Sequence, residues 1–284
     1  MVSPVLGLGA ALDKVKAMRV GYVQFSPEFG EKERNLRRVE ELLAGKSADL
    51  WVLPELCTTG YQFKGKKELE ELAEPIPGGP SLRIVERLAR ERKAYFVLGL
   101  AERDGERFFN SAALIGPAGF VHSYRKVHLF FREKLFFAPG DRPFEVVKVQ
   151  DIPLGILICY DHLFPEAARV LALKGAWLIA HPANFVLPGL GQLTMRVRAL
   201  ENRVFVITAN RVGRESRDEP ALVFTGMSQI CSPAGEILAS SSESAEEAVV
   251  VEIDPQKALD KKLTPLNDLF QDRRPEFYRA LVRG

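Results

Sequence analysis

The chain has 284 residues, of which 46% are hydrophobic and 27% charged, with a net charge of +2. This length suits one large domain or two small ones. The charges are mixed in sign without a basic tract, and no apolar run reaches ~18 residues, so neither nucleic acid nor a membrane is an expected partner.

The first half of the chain is predicted to alternate strands and helices. Hydrophobic patterning predicts a strand over 18–25, a helix over 31–46, a strand over 49–56 that breaks at Pro54, a turn-rich segment, and a helix from Ser81 to about Lys93. Strands over 94–102, 108–116 and 120–126 follow, and then a Phe-rich loop over 127–141. Residues 1–17 lack the basic start of a signal peptide, so we interpret them as an N-terminal extension.

The second half continues the alternation up to residue 254. The pattern predicts strands over 143–149, 153–160, 177–185, 204–213, 227–233, 236–240 and 247–253, and helices over 164–176 and 193–203. Residues 18–254 are therefore interpreted as one layered α/β domain with mixed sheets. Residues 255–284 form a polar, irregular tail whose apolar side chains need a surface to cover, so we expect this tail at an oligomer interface.

The cysteines are the first candidates for chemistry. Cys57, Cys159 and Cys231 are too few and too widely spaced for a disulfide framework, which favours a reducing, cytoplasmic location. Cys159 ends the apolar run ILIC just before a helix, a strand–turn–helix position that exposes a nucleophile and favours its thiolate. An ordinary buried cysteine is the alternative, and Cys57 and Cys231 fit it better.

A partner for Cys159 is harder to choose from the residues alone. Four histidines are candidates, namely His122, His128, His162 and His181, but nothing in their surroundings marks one. Zinc bound by Cys159 and His162 lacks two further ligands at a recognisable spacing, and no Gly-rich phosphate loop is present, so we expect no metal and no cofactor. Glu55 and Lys126 follow strands, as Cys159 does, and strand carboxyl ends are where ligands bind. Taken singly, Glu55 and Lys126 are better explained as exposed charges, and their joint placement with Cys159 weakens that explanation without excluding it.

Three motifs, supported by three further segments, resemble the nitrilase superfamily over nearly all of 18–275. The segments are VLPELCTTGY, YRKVHLF, ICYDHLFPEAARVLALKGA, HPANF, RALENRVFVITANR and NDLFQDRRPEFY. The resemblance is strongest to small aliphatic amidases and archaeal nitrilases of small aliphatic nitriles. It implies a four-layer αββα sandwich that forms dimers or larger assemblies, and a catalytic triad of Glu55, Lys126 and Cys159 with a second glutamate, Glu133.

We also expect five residues to contact the substrate. These are Tyr61, Phe63, Tyr160, His162 and Asn184. His162 departs from the bulky apolar, aromatic or arginine residue that relatives usually have, which leaves the substrate preference open. The aromatic residues around the triad either wall a small pocket or fill the core. They are Tyr61, Phe63, Phe130, Phe131, Phe136 and Phe137.

The expected reaction is hydrolysis of a non-peptide C–N bond in a small amide or nitrile. Cys159 attacks to form a thioester, Lys126 and the Tyr160 N–H stabilise the oxyanion, and Glu55 transfers protons and activates water. The alternatives are N-carbamoyl hydrolysis, acyl transfer to another acceptor, or a binding protein without turnover.

Overall fold

The computed structural model describes residues 16–282, so most of the predicted N-terminal extension lies outside the described residues. The strands are β1 (Met18–Gln24), β2 (Leu50–Val52), β3 (Tyr95–Asp104), β4 (Arg107–Gly116), β5 (Gly119–Arg125), β6 (Val146–Val149), β7 (Ile152–Ile156), β8 (Leu178–Pro182), β9 (Phe205–Ala209), β10 (Arg214–Glu215), β11 (Leu222–Val223), β12 (Gln229–Cys231), β13 (Ile237–Ser240), β14 (Glu247–Ile253), β15 (Lys262–Thr264) and β16 (Asn267–Asp268). The α-helices are α1 (Lys32–Leu42), α2 (Lys66–Leu72), α3 (Pro80–Arg92), α4 (Pro165–Leu173) and α5 (Leu190–Asn202). Short 3₁₀ segments lie at Phe131–Leu135, Cys159–Leu163, Pro255–Ala258, Pro275–Phe277 and Arg279–Val282.

Two six-stranded mixed sheets form the centre of the molecule. The first has the order β14-β1-β2-β3-β4-β5, in which β1, β2 and β3 are parallel. The second has the order β13-β12-β9-β8-β7-β6, in which β7, β8 and β9 are parallel. In both sheets the outer strands are antiparallel to their neighbours, and β14 returns the end of the domain to the edge of β1.

The side chains of each sheet alternate between two apolar layers. From β1, Val20 and Tyr22 point into a core that they share with Ile207 of the second sheet. Val23, the next residue, faces the other way into a core with α1 and α3. Ile179 of β8 likewise packs outward with residues of α4 and α5. The layers therefore run helix, sheet, sheet, helix, which confirms the predicted αββα sandwich.

Two local predictions differ from the structure. The turn-rich segment contains α2, whose sequence is so highly charged that only Leu69 is buried and no apolar stripe marks a helix. The predicted strand over 49–56 ends at Val52, because the chain then turns across β3 at Gly99. A Cβ at Gly99 would lie 2.3 Å from the Pro54 carbonyl oxygen, so this crossing needs a glycine.

The tail after Ile253 forms short 3₁₀ segments, and it also contains the hairpin β15–β16, which the sequence did not predict. Several of its large apolar side chains face solvent in the single chain, including Leu266, which is 91% exposed, and Phe277, which is 72% exposed. Within residues 16–282, no helix is both long and apolar enough to span a membrane.

Candidate active site

Four side chains from both sheets meet at one edge of the sandwich. Glu55 lies in the loop after β2 and Lys126 directly follows β5, both in the first sheet. Cys159 lies beyond β7 of the second sheet, and Glu133 comes from the 3₁₀ segment between the sheets. None of the four is more than 5% exposed.

Lys126 joins the two glutamates. Its Nζ donates to Glu55 Oε1 at 2.6 Å and to Glu133 Oε1 at 2.8 Å. Burial alone would lower the pKa of Lys126, but the carboxylates of Glu133 and Glu55 outweigh it, so the pKa lies above its usual value. The ammonium is therefore charged and has a third proton not used by either glutamate.

The two glutamates have different surroundings. Glu55 Oε1 also accepts from Asn110 Nδ2 at 2.7 Å, whereas the buried Glu55 Oε2 has no partner within residues 16–282. Glu133 Oε1 also accepts from the Tyr61 hydroxyl at 2.6 Å. Burial raises the pKa of the Glu133 carboxyl, with Lys126 acting against it. The free oxygen of Glu55 is thus the available proton acceptor in this cluster.

Cys159 has a strained backbone and a protonated thiol. Its φ of 42° is unusual for a residue with a side chain, and such strain is common at active sites. Burial raises the pKa of the thiol well above its usual value, Glu55 adds to this effect, and Lys126 opposes it. The sequence suggested a thiolate beside a helix N-terminus, but a 3₁₀ segment separates Cys159 from α4, and burial dominates.

Two hydrogen-bonded groups hold the turn at Cys159. His181 Nε2 lies 3.1 Å from the Cys159 carbonyl oxygen, so this nitrogen is the donor. Burial lowers the pKa of His181 to about 4, which keeps the ring neutral. Asp161 accepts from the Ile158 N–H at 2.9 Å and from the Tyr124 hydroxyl at 2.7 Å. These contacts tie the nucleophile turn to both sheets.

A small cavity of about 30 Å³ opens onto Cys159. It is lined by Phe130, Cys159, Tyr160, His162, Leu163, Asn184, Phe185, Val186, Leu187, Leu190 and Gly191. Three of the five predicted substrate contacts, Tyr160, His162 and Asn184, therefore lie around it. Asn184 Nδ2 donates to the Glu55 carbonyl oxygen at 2.9 Å, which connects the cavity wall to the other sheet.

The other two predicted contacts lie elsewhere. Tyr61 reaches the cluster through its bond to Glu133. Phe63 packs edge-on against Phe29 and Phe137 at 5.1 and 5.7 Å, so it belongs to a buried aromatic cluster and does not line the cavity with Cys159. Of the Phe-rich loop, Phe130 lines that cavity, whereas Phe136, Phe137 and the 52% exposed Phe131 line a neighbouring cavity together with Tyr61, Phe63 and Glu133. Both interpretations of the aromatic set are thus partly right.

Several supporting residues were missed by sequence reasoning. Asn110 sits in the middle of β4, where a polar residue within FFNSAALIG was a usable signal for a buried hydrogen bond. The buried Glu215 accepts from the Tyr61 and Gln62 N–H groups and pairs with the buried Arg211. Nothing local in the sequence indicates that this pair supports a loop more than 150 positions away.

The remaining candidates for chemistry are accounted for by packing. Cys57 and Cys231 are fully buried in the two outer cores, and burial raises their thiol pKa values to about 12 and about 11. His128 stacks on Phe164 at 3.6 Å and contacts Asp161. Within residues 16–282, no three His, Cys, Asp or Glu residues are grouped so as to hold a metal ion.

Comparison with known proteins gives concordant matches along the chain. The carbon-nitrogen hydrolase family model matches residues 19–260. A nitrilase from Pyrococcus abyssi is 46% identical over 264 residues, covering 92% of this chain and 99% of that protein. An (R)-stereoselective amidase from Pseudomonas is 34% identical over 256 residues, covering 88% and 91%. A crystal structure of a carbon-nitrogen hydrolase from Helicobacter pylori superposes with a TM-score of 0.84 at 26% identity, covering 94% and 99%.

Proposed function

The chain belongs to the carbon–nitrogen hydrolase family, and on this premise we propose that it cleaves a small amide or nitrile through a thioester on Cys159. The family match confirms the resemblance predicted from the motifs and makes the protein a hydrolase of the nitrilase superfamily. The observation that carries the finer proposal is the buried cluster of Glu55, Lys126 and Glu133 beside a cysteine that opens onto an apolar cavity.

In this proposal Glu55 is the general base. The Cys159 thiol is protonated at rest because burial dominates its pKa, so attack requires an acceptor for the proton. Glu55 Oε2 is buried and without a partner within the described residues, whereas Glu55 Oε1 is held by Lys126 and Asn110. The proton passes from sulfur to this free oxygen as sulfur bonds to the substrate carbon.

Lys126 and a backbone N–H stabilise the oxyanion in this mechanism. Two of the three Lys126 protons are used by Glu55 and Glu133, so the third is available to the developing charge. Tyr160 follows the nucleophile in the first turn of a 3₁₀ segment, where backbone donors lack partners within the helix. A fixed cation and a fixed N–H in a buried site require little reorganisation during the reaction.

Collapse of the tetrahedral intermediate completes the first half of the reaction. Glu55 returns its proton to the leaving nitrogen, ammonia departs, and the acyl group remains on sulfur as a thioester. Glu55 then takes a proton from water, the hydroxide attacks the thioester, and the acid and the free thiol are released. A nitrile enters by the same attack, forms a thioimidate, and reaches the same thioester after adding water and losing ammonia.

The decisive experiment is an ammonia-release screen over matched small amides, nitriles and carbamoyl compounds. Release of carbon dioxide with ammonia would favour N-carbamoyl hydrolysis, and transfer to a non-water acceptor would favour acyl transfer. The screen includes carbamoyl compounds because of two relatives. A citrullinase from Francisella tularensis is 31% identical to this chain, and an N-carbamoylputrescine amidase from Solanum lycopersicum is 29% identical. The absence of turnover on every compound would overturn the proposal.

The nucleophile is tested by substitution. We expect Cys159→Ala to abolish hydrolysis with the fold intact, and a poor substrate to leave an acyl mass adduct on the wild type only. Cys231→Ala is the matched control, because Cys231 is buried in β12 and lies in the outer core of the second sheet. Substantial activity in Cys159→Ala would show that another group is the nucleophile.

We further propose that the protein is a dimer at least and acts in the cytoplasm. Exposed apolar side chains in the tail support the first proposal, since large exposed apolar patches usually mark an interface. The free thiols of the three cysteines support the second, because such thiols persist in reducing compartments.

A further inference from the structure

His162 lines the cavity that holds Cys159, and one of its two ring nitrogens has no partner within the described residues. The ring lies edge-on to Phe185, with 5.1 Å between the ring centres. Its Nδ1 contacts Thr194 Oγ1 at 2.5 Å, whereas its Nε2 has no hydrogen-bond partner within residues 16–282. A ring nitrogen left free beside a nucleophile is available to a substrate.

The tautomer follows from the contacts of Thr194. Thr194 Oγ1 lies 2.9 Å from the Leu190 carbonyl oxygen and 3.1 Å from that of Gly191. Oxygens this close repel one another unless a proton lies between them, so the hydroxyl proton points to a carbonyl. The hydroxyl oxygen must then accept from His162 Nδ1–H, which leaves Nε2 as an acceptor. Burial lowers the pKa of His162 to about 3, so the ring stays neutral.

The rest of the cavity wall is apolar or uncharged. Phe130, Phe185, Leu187 and Leu190 provide most of its apolar surface, and none of the lining residues is Lys, Arg, Asp or Glu. An acyl group with a carboxylate would meet the Nε2 lone pair with no cation in the lining to neutralise it. An ammonium would lack a counter-ion there, and desolvating either charge is costly. The wall therefore suits a neutral acyl group.

We propose that His162 selects acyl groups that carry one neutral hydrogen-bond donor, a hydroxyl or an amide N–H, on an otherwise apolar chain. This rests on the proposed function, since it assigns the cavity to the acyl part of the substrate. Water pairs with Nε2 in the free enzyme. A purely apolar acyl group displaces that water and leaves the acceptor unpaired, whereas a donor on the acyl group replaces the water.

The test compares amides that differ only at this donor. Lactamide provides the hydroxyl, propionamide lacks it, and O-methyl lactamide keeps the oxygen without the proton. We expect kcat/KM for lactamide to exceed both others by roughly tenfold or more, a modest value for one unpaired buried group. An N-acetylated amino-acid amide tests whether an N–H serves as well as a hydroxyl. Equal kcat/KM values for lactamide and propionamide would overturn the inference.

Substitutions of His162 test whether this residue is the source of the preference for lactamide over propionamide. His162→Phe keeps a planar ring but has no acceptor, so the ratio of kcat/KM for lactamide to kcat/KM for propionamide should fall to about one. His162→Gln places an amide oxygen near the position of Nε2 and should restore part of the preference. His122→Gln is the matched control, because His122 lies in β5 and does not line the cavity. A preference that persists in His162→Phe would exclude His162 as its source.

Binding separates this inference from the proposed function. Calorimetry on Cys159→Ala with the same three amides measures the preference without turnover. Tighter binding of lactamide with no hydrolysis by the wild type would retain the inference and reject the hydrolase proposal. Hydrolysis of all three amides at equal rates, with equal binding, would retain the hydrolase proposal and reject the inference about His162.

Discussion

Lys126 holds two carboxylates at once, and this sets the protonation of the whole cluster. Glu55 and Glu133 both contact its Nζ, within a site from which water is excluded. Two negative charges around one positive charge leave the cluster net negative if both carboxyls are ionised. Burial is the main cause of the raised pKa values of the Cys159 thiol and of the Glu133 carboxyl, and the negative charge of Glu55 adds to it although a lysine is adjacent.

Among single residues, Glu133→Gln tests whether catalysis depends on the negative charge of Glu133. Glutamine keeps the size, but its amide cannot match both Glu133 oxygens, which accept from Lys126 and from the Phe130 N–H. We expect kcat/KM to fall by at least ~10²-fold, the scale of one positioned catalytic group. Alkylation of Cys159 should persist, since the nucleophile is untouched. Glu145→Gln, at an exposed carboxylate, is the control, and kinetics within a few-fold of wild type would assign Glu133 a structural role only.

His181 predicts a pH dependence of stability. Burial lowers its pKa from 6.5 to about 4, so the unfolded chain binds a proton below pH 6.5 that the folded protein does not bind until about pH 4. The free energy of unfolding should therefore fall as the pH drops through this window. The contribution is on the order of 3 kcal/mol when fully expressed.

Urea unfolding of wild type and His181→Gln between pH 7 and pH 4 measures this contribution. Glutamine retains an N–H for the Cys159 carbonyl oxygen but does not titrate. We expect the variant to lose less stability on acidification than the wild type. If the free energy of unfolding falls by the same amount in the two proteins between pH 7 and pH 4, then His181 has the same pKa in the folded and unfolded states.

Among the elements, β3 controls the position of Glu55. The loop after β2 crosses β3 at Gly99, whose carbonyl oxygen accepts from the Cys57 N–H at 3.0 Å. A Cβ at Gly99 would lie 2.3 Å from the Pro54 oxygen and 2.7 Å from the Glu55 Cα. Both neighbours are backbone atoms, so the loop itself would have to move.

Gly99→Ala should therefore reduce activity through Glu55. We expect a loss of stability of about 1–3 kcal/mol from overpacking and a fall in kcat/KM of at least ~10-fold from the displaced base. Gly65→Ala is the matched control, because a Cβ there meets no atom within 4 Å and its φ of −179° suits any residue. Urea unfolding and steady-state kinetics measure the two effects, and unchanged kinetics in Gly99→Ala would show that the loop adapts without moving Glu55.

These elements also show what the sequence can predict. Strong apolar periodicity located the long strands and the helices α1, α3, α4 and α5, and strand ends brought Glu55, Lys126 and Cys159 together as candidates. Helix α2 was missed because it buries only one residue. The support from the Arg211–Glu215 pair was missed because it depends on contacts between distant segments. Asn110 left a usable signal as a polar residue within an apolar strand, and His181 was considered only as a partner of the Cys159 thiol, whereas it contacts the Cys159 carbonyl oxygen. The effect that dominates the pKa of Cys159 is burial, which a sequence pattern does not reveal.

For the whole molecule, exposed apolar surface predicts association. The outer face of α5 exposes Leu193, Val197 and Leu200 at helical spacing, in addition to the apolar tail. We expect a dimer or larger assembly by light scattering at micromolar concentration. Replacing Leu193 and Val197 with Lys should weaken it, whereas the same change at the exposed Val121 of β5 should not. A stable wild-type monomer would contradict the proposal.

The division of the site between two sheets affects when reactivity arises during synthesis. Glu55 and Lys126 leave the ribosome before Cys159, but the first sheet is complete only when β14, which ends at Ile253, pairs with β1. A nascent chain that stops short of β14 has its cysteine but leaves the edge of β1 unpaired. We therefore expect the Cys159 thiol to acquire its folded surroundings, with Glu55 and Lys126 beside it, only when the domain is almost fully made.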